Sequence, residues 1–121
     1  MTAILTVDDS PSVRRTVRIA LTAEGFGVTE AEDGAQGLSA ATKGGFDLII
    51  TDLNMPVMDG LTMIRELRKV PAQAGVPILF LTTESDAGIK AEAKAAGATG
   101  WLTKPFEPDH LIKIVTKILA K

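Results

Sequence analysis

Three observations predict an α/β fold, a parallel sheet with helices on both faces. Short apolar bursts alternate five times with stretches of helical periodicity. Gly, Pro and Asp punctuate the changeovers. One burst, Leu48-Ile49-Ile50, is apolar without alternation, as expected of a strand buried on both faces. That run ends in Thr51-Asp52, followed by the turn-rich stretch Leu53-Asn54-Met55-Pro56-Val57-Met58-Asp59-Gly60. A carboxylate placed directly after a buried strand lies at the C-terminal edge of the sheet, where open α/β folds keep their ligand crevices.

In chain order, Ala3 to Val7 reads as the first strand, and Asp8-Asp9-Ser10-Pro11 as the turn after it. Ser10 can cap the next helix and Pro11 suits its first position. That helix carries Val13, Val17, Ala20 and Leu21 on one face, Arg14, Arg15 and Arg18 on the other, and stops at Glu24-Gly25. Gly27 to Ala31 reads as a strand, Glu32-Asp33-Gly34 as a turn, and Ala35 to Thr42 as a short helix closed by Gly44-Gly45. Asp47 to Thr51 is the strand that delivers Asp52. Asp59-Gly60 reads as a turn in which Gly60 relieves backbone strain. Leu61 to Val70 is a helix with Leu61, Ile64 and Leu67 inward, stopped by Pro71.

Pro77 opens the fourth strand, Ile78 to Leu81, which ends in Thr82-Thr83. The next helix, Asp86 to Ala96, has Ile89 as its only large apolar residue among alanines, with Gly97 as its C-cap. Each buried methyl stabilises by only about 0.8 kcal/mol, so this helix is expected to be the most loosely docked. Thr99 to Thr103 is the fifth strand and runs into Lys104-Pro105-Phe106. A last helix from Pro108 shows Leu111, Ile114, Val115, Ile118 and Leu119 at helical spacing, with His110 away from the Asp52 edge.

Composition narrows the function classes. The 121 residues are expected to form one domain, 1–121. A net charge of -2 and a pI near 5.3, with no basic run, disfavour nucleic acid as a partner. Absence of cysteine removes thiolate metal sites. No stretch has the length and apolarity of a membrane span or the plan of a signal peptide, so a cytoplasmic location without membrane attachment is expected.

A parallel sheet with right-handed crossovers brings Asp8 and Asp9, Asp52, Thr82 and Lys104 to one edge, from the ends of four strands. Like charges raise one another's pKa, so clustered carboxylates call for a cation. With only oxygen ligands on offer, Mg²⁺ is the natural ion, since it keeps waters and leaves room for phosphate oxygens. An acid beside Mg²⁺, with a lysine and a hydroxyl nearby and no histidine, suits phosphoryl transfer onto the acid itself.

Taken together, Asp8-Asp9, Asp52, Met55-Pro56-Val57-Met58-Asp59-Gly60, Thr82 and Lys104-Pro105-Phe106 resemble the receiver domains of bacterial response regulators, and the resemblance spans the whole chain. It implies a flavodoxin-like (βα)5 sheet of strand order 2-1-3-4-5, an order taken from the family. It implies that Asp52 accepts a phosphoryl group from a histidine kinase or phosphotransfer protein, or slowly from acetyl phosphate. Asp9, Asp52 and the Asn54 backbone carbonyl would bind Mg²⁺, with Asp8 acting largely through water. Lys104 would pair with the phosphoryl oxygens, Thr82 would move to hydrogen-bond them, and Trp101 stands where the family has a mobile aromatic. The Lys104–Pro105 bond is characteristically cis in this family.

The stretches Glu30-Ala31-Glu32-Asp33-Gly34 and Met55 to Gly60, with Asn54 and Glu84, most resemble single-domain CheY-like chemotaxis receivers. In the family the positions of Asn54 and Glu84 tune hydrolysis of the phosphoryl group, which implies a short-lived phosphorylated state. No output domain is expected after Lys121, so output is expected through protein binding. The implied partner is a flagellar motor switch protein or another effector, met by the Ala-rich helix, the fifth strand and the last helix of a monomer. Three positions depart from that pattern. Trp101 carries an indole donor in place of a hydroxyl, Leu53 lacks an indole beside the acceptor, and Thr83 is expected to narrow access to Asp52.

Other readings compete. A phosphorelay intermediate or phosphate sink shares every motif. A phosphohydrolase usually wants a second acid two residues after its nucleophile, where Asn54 stands, so catalysis is expected only of the chain's own phosphorylation and dephosphorylation. A flavin-binding protein is disfavoured because Asp8-Asp9 would repel the flavin phosphate.

Overall fold

Strand β1 (Ala3–Val7) lies at the heart of the fold because its side chains are apolar on both faces, with Ile4, Leu5 and Val7 all buried. A computed structural model describes residues 2–120. The remaining strands are β2 (Gly27–Ala31), β3 (Leu48–Thr51), β4 (Ile78–Thr82) and β5 (Gly100–Thr103). All pairings are parallel, in the order β2-β1-β3-β4-β5. The helices are α1 (Pro11–Ala23), α2 (Gly34–Thr42), α3 (Gly60–Arg68), α4 (Ala87–Ala95) and α5 (Pro108–Leu119).

The twofold period of the strands sorts the core into two layers. Leu5, Val7, Ile49, Ile78 and Phe80 point to one face and meet Ala41 of α2, Met63, Ile64 and Leu67 of α3 and Ala93 of α4. Ile4, Leu48, Ile50, Leu79 and Leu81 point to the other and meet Val17, Ala20 and Leu21 of α1 and Leu111 and Val115 of α5. The edge strand β2 is thin: Thr29 and Glu30 are exposed.

Local chemistry accounts for the helix ends. The Ser10 hydroxyl accepts from Val13 N–H at 3.3 Å, with Pro11 at the first helical position. Gly25 (φ 87°) and Gly97 (φ 109°) end α1 and α4 in left-handed turns. In each, paired amides bond back to the last turn: Gly97 to the Lys94 carbonyl and Ala98 to the Ala93 carbonyl, both at 3.0 Å.

Several boundaries differ from the sequence expectation. Asp33 and Asp59 cap helices, accepting from Gln36 N–H at 2.8 Å and Thr62 N–H at 2.7 Å, so α2 and α3 each start one residue earlier, at Gly34 and Gly60. Helix α3 ends at Arg68, and Pro71–Gln73 forms a separate 3-10 turn, its first position suited to proline. Strand β4 continues through Thr82, and β5 begins at Gly100. The expected looseness of α4 has a counterpart in its burial, for Ala93 is its single fully buried residue and Ile89 is only partly covered.

Candidate functional site: an acid pocket at the C-terminal edge of the sheet

Asp8 follows β1, and its N–H bonds the Ala31 carbonyl at 3.1 Å, extending the β1–β2 ladder by one residue. Asp52 follows β3 and continues the ladder with β1 through the Val7 carbonyl at 2.9 Å. The strands therefore carry both acids inward: Asp8 is 2% exposed and Asp52 8%. Asp9, on the same turn, is exposed, and one carboxylate oxygen from each of Asp8, Asp9 and Asp52 falls within 4.8 Å of the others. The Lys104 N–H bonds the Thr82 carbonyl at 2.8 Å, and the Lys104–Pro105 peptide is cis.

Lys104 reaches from the end of β5 into the pocket. Its Nζ donates to Asp8 Oδ2 at 2.8 Å and to Asp52 Oδ2 at 3.1 Å. Asp8 Oδ1 takes the Ser10 N–H at 2.9 Å, and Asp52 Oδ1 its neighbour Leu53 N–H at 2.7 Å. Burial pushes the Asp8 carboxyl above its ordinary value, outweighing the hydrogen bonds from Lys104 and Ser10 that pull it down. For Lys104, burial alone would favour the neutral amine. The hydrogen bonds to Asp8 and Asp52 more than reverse that, and its pKa is raised.

The residues expected to act on the phosphoryl group, Thr82 and Glu84, bond to their own neighbours. Thr82 is fully buried at the end of β4, and its hydroxyl accepts from Glu84 N–H at 3.2 Å. The Glu84 carboxylate folds over the start of α4, accepting from Ser85 N–H at 3.2 Å and Asp86 N–H at 3.1 Å. Asn54 is exposed in the loop after Asp52, and Thr83 is exposed on a cleft shared with Ser12 and Lys104. Trp101 pairs across the ladder with Phe80, its ring centroid 5.6 Å away at a 47° tilt. Its indole N–H is buried without an acceptor, and Lys90 Nζ stands 5.6 Å over the ring.

The glycine reading needs correction. Gly60 does not occupy a left-handed conformation; that one falls on Val57, at φ 69°. Gly60 is required by space. A Cβ there would lie 2.1 Å from the Asp52 carbonyl oxygen and 2.9 Å from the Phe80 ring. Its amide donates to the Leu53 carbonyl at 2.8 Å, so the start of α3 is seated directly against the strand end that holds Asp52.

Sequence reasoning also missed Arg14, assigned above to the polar face of α1. Its side chain is only 12% exposed, and Nη1 donates to the Asp8 carbonyl at 2.6 Å. The available signal was Glu30, an acid facing Arg14 and Arg18 from the neighbouring strand, whose i,i+4 spacing puts both on one helix face.

Fold and pocket together define the class: a doubly wound α/β domain with an acid cluster and a lysine at its strand ends. The chain belongs to the response regulator receiver domain family, whose model matches residues 4–116. It is 45% identical to the Vibrio cholerae chemotaxis protein CheY4, with a TM-score of 0.93 and 98% of each chain covered. It is 31% identical, at a TM-score of 0.91, to the receiver domain of the sensor histidine kinase PA1611 of Pseudomonas aeruginosa, covering 99% of this chain and 98% of that one. That structure has a magnesium ion coordinated in its active-site cleft. Among curated relatives, the Escherichia coli transcriptional regulatory protein GlrR is 36% identical over 118 residues, which is 98% of this chain and 26% of that protein. The Bacillus subtilis protein YkoG, an uncharacterised transcriptional regulatory protein, is equally identical, and the chain spans 51% of it.

The chain is thus a receiver domain of two-component signalling, which implies a histidine kinase or a phosphotransfer protein as its partner. Its donor set fits a hard divalent cation: three carboxylates offer oxygens at short mutual range, and among the described residues Lys104 alone forms an ion pair with the buried Asp8 carboxylate. No helix among the described residues is long and apolar enough to cross a membrane.

Proposed function

We propose that Asp52 is the phosphoacceptor and that its phosphorylation switches a protein-binding face. The observation that carries this reading is the convergence of Lys104 Nζ on Asp8 and Asp52 with Asp9 beside them. An Asp52 carboxylate oxygen attacks the phosphorus of a phosphohistidine or of acetyl phosphate, and the bond to the donor's leaving group breaks. Asp8, Asp9, Asp52 and the Asn54 carbonyl would hold Mg²⁺, which would neutralise charge at the phosphoryl oxygens. Lys104 exchanges its two carboxylate partners for a phosphoryl oxygen. The Thr82 hydroxyl leaves the Glu84 amide and donates to another. No external substrate is turned over: the chain catalyses only its own phosphorylation and, with Asn54 and Glu84 tuning water attack, its dephosphorylation.

The likeness to CheY4 over 98% of each chain supports a chemotaxis role, with a flagellar motor switch protein as the effector of α4, β5 and α5 on a cytoplasmic monomer. The transcriptional regulators among the relatives keep a second reading in play, a relay intermediate or phosphate sink in another two-component pathway. Binding of the phosphorylated chain to motor switch protein, against phosphotransfer proteins, separates the two. Mg²⁺-dependent labelling by acetyl phosphate tests the central assignment: the label is expected on the wild type and absent from Asp52→Asn. Label retained by that variant would overturn it.

A further inference from the structure

Three charged side chains join α1 to β2 beside the acid pocket. Arg14 Nε donates to Glu30 Oε1 at 3.3 Å, and Arg18 Nη1 to Glu30 Oε2 at 2.6 Å. The two arginines differ in what else they touch. Arg18 is 46% exposed; Arg14 is 12% exposed because its Nη1 continues to the Asp8 carbonyl oxygen at 2.6 Å.

That carbonyl belongs to the planar peptide joining Asp8 to Asp9. Fixing the direction of its oxygen fixes the plane from which Asp9 departs. The side-chain hydrogen bonds at this turn serve the Asp8 carboxylate, from Ser10 and Lys104, and not that of Asp9. Asp9 is exposed and lines a shallow cleft with Arg14, Glu32, Asp33 and Pro56. The peptide before it sets where the Asp9 backbone starts, and with it the range of directions the carboxylate can take.

We propose that Arg14, oriented by Glu30, is a positioning residue for the cation site, setting Mg²⁺ affinity by holding the Asp8–Asp9 peptide in the orientation that turns Asp9 toward Asp8 and Asp52. The inference rests on the Mg²⁺ reading of the acid pocket. A guanidinium suits the task because its rigid fork can address a carbonyl and a carboxylate at once, whereas an ammonium is a point charge on a flexible stem. Charge alone would act in the opposite direction, since a cationic side chain beside a cation site weakens metal binding. Glu30 offsets that charge locally and leaves the geometric effect in control.

Calorimetric titration of the unphosphorylated full chain with MgCl₂ tests this. If the wild type takes up no Mg²⁺, the reading of the pocket fails, independently of Arg14. Given wild-type binding, Arg14→Lys, which keeps the charge and loses the fork, is expected to raise the Kd about tenfold, the low end for a residue that orients a metal ligand. Arg14→Gln is expected to weaken binding as well, although charge removal by itself would tighten it. Arg18→Gln, which shares Glu30 but not the Asp8 carbonyl, should bind as the wild type does. The metal-free melting temperatures of the variants identify any loss of fold, and Arg14→Lys carries the test alone if Arg14→Gln does not fold. Wild-type affinity in Arg14→Lys, tighter binding in Arg14→Gln, or an equal loss in Arg18→Gln would each overturn the proposal.

Discussion

The fold works against ionisation of Asp8. Its carboxyl is buried, and its pKa is raised above the ordinary 3.8 despite Lys104. The folded state therefore holds this proton more tightly than the unfolded chain does. Asp8 lowers stability as pH rises from its ordinary pKa through its raised folded pKa. Asp8→Asn is expected to raise the metal-free melting temperature at pH 7 by about 4 °C, roughly 1 kcal/mol at this size. The gain should shrink on acidification toward pH 4, as scanning calorimetry can follow. A variant less stable than the wild type at pH 7 would place the net balance with the Lys104 ion pair instead. Val57 is strained differently: a β-branched residue at φ 69° with its side chain 82% exposed has no packing to justify the conformation. Val57→Asn is expected to stabilise the chain by about 1 kcal/mol in urea denaturation, with m unchanged. Residues of this kind are the least legible from sequence. Nothing in Met55-Pro56-Val57-Met58 says which residue takes the left-handed turn, and Gly60 reads as a turn glycine that relieves backbone strain until a Cβ there is found to lie 2.1 Å from the Asp52 carbonyl oxygen.

At the scale of elements, α4 stands apart from α1, α3 and α5. It presents alanines to the sheet, buries Ala93 alone, and borrows its fastening from outside: Arg68 of α3 donates to the Gly97 carbonyl at 2.8 Å and to the Gln73 carbonyl at 3.1 Å. Its last turn is thus tied to α3, while its first turn rests on the Asp86 cap and the Glu84 fold-back beside Thr82. Hydrogen exchange is expected to be faster in α4 than in α5, which seats Leu111 and Val115 in the core. Equal protection of the two helices would contradict the packing argument. The placement of these helices was legible in their apolar spacing. Their ends were less so, because Asp33 and Asp59 read as turn residues, and Asp86 as the first residue of its helix, until their carboxylates are seen capping the amides three residues on.

Across the whole molecule, the acid pocket joins the ends of β1, β3, β4 and β5, so a ligand there acts on the fold as a unit. An ion that binds only the folded chain stabilises it by mass action, about 1.4 kcal/mol at tenfold excess over its Kd. Mg²⁺ should accordingly raise the melting temperature of the wild type and do so much less for Asp8→Asn, with chelation reversing the shift. A melting temperature indifferent to millimolar Mg²⁺ would argue against cation binding at the pocket. At alkaline pH the raised pKa of Lys104 works in the same direction as that of Asp8, stability falling as pH rises: its contribution is complete below 10.5 and is lost as pH climbs through the folded value.

By itself, the sequence determined the alternation of strands and helices, the apolar faces of the helices and the list of acids at the strand ends. Those follow from periodicity and from where each apolar run stops, which are properties of the chain read locally. Tertiary structure decided how the listed residues are used. Lys104 sits between Asp8 and Asp52, Thr82 faces Glu84, Trp101 lies against Phe80 with its indole N–H unpartnered, and Arg14 holds the peptide between Asp8 and Asp9. Each of these is a choice of partner among groups far apart in sequence. Spacing along the chain can place a side chain at an edge, but only the packed fold sets which neighbour, at hydrogen-bond range, that side chain meets.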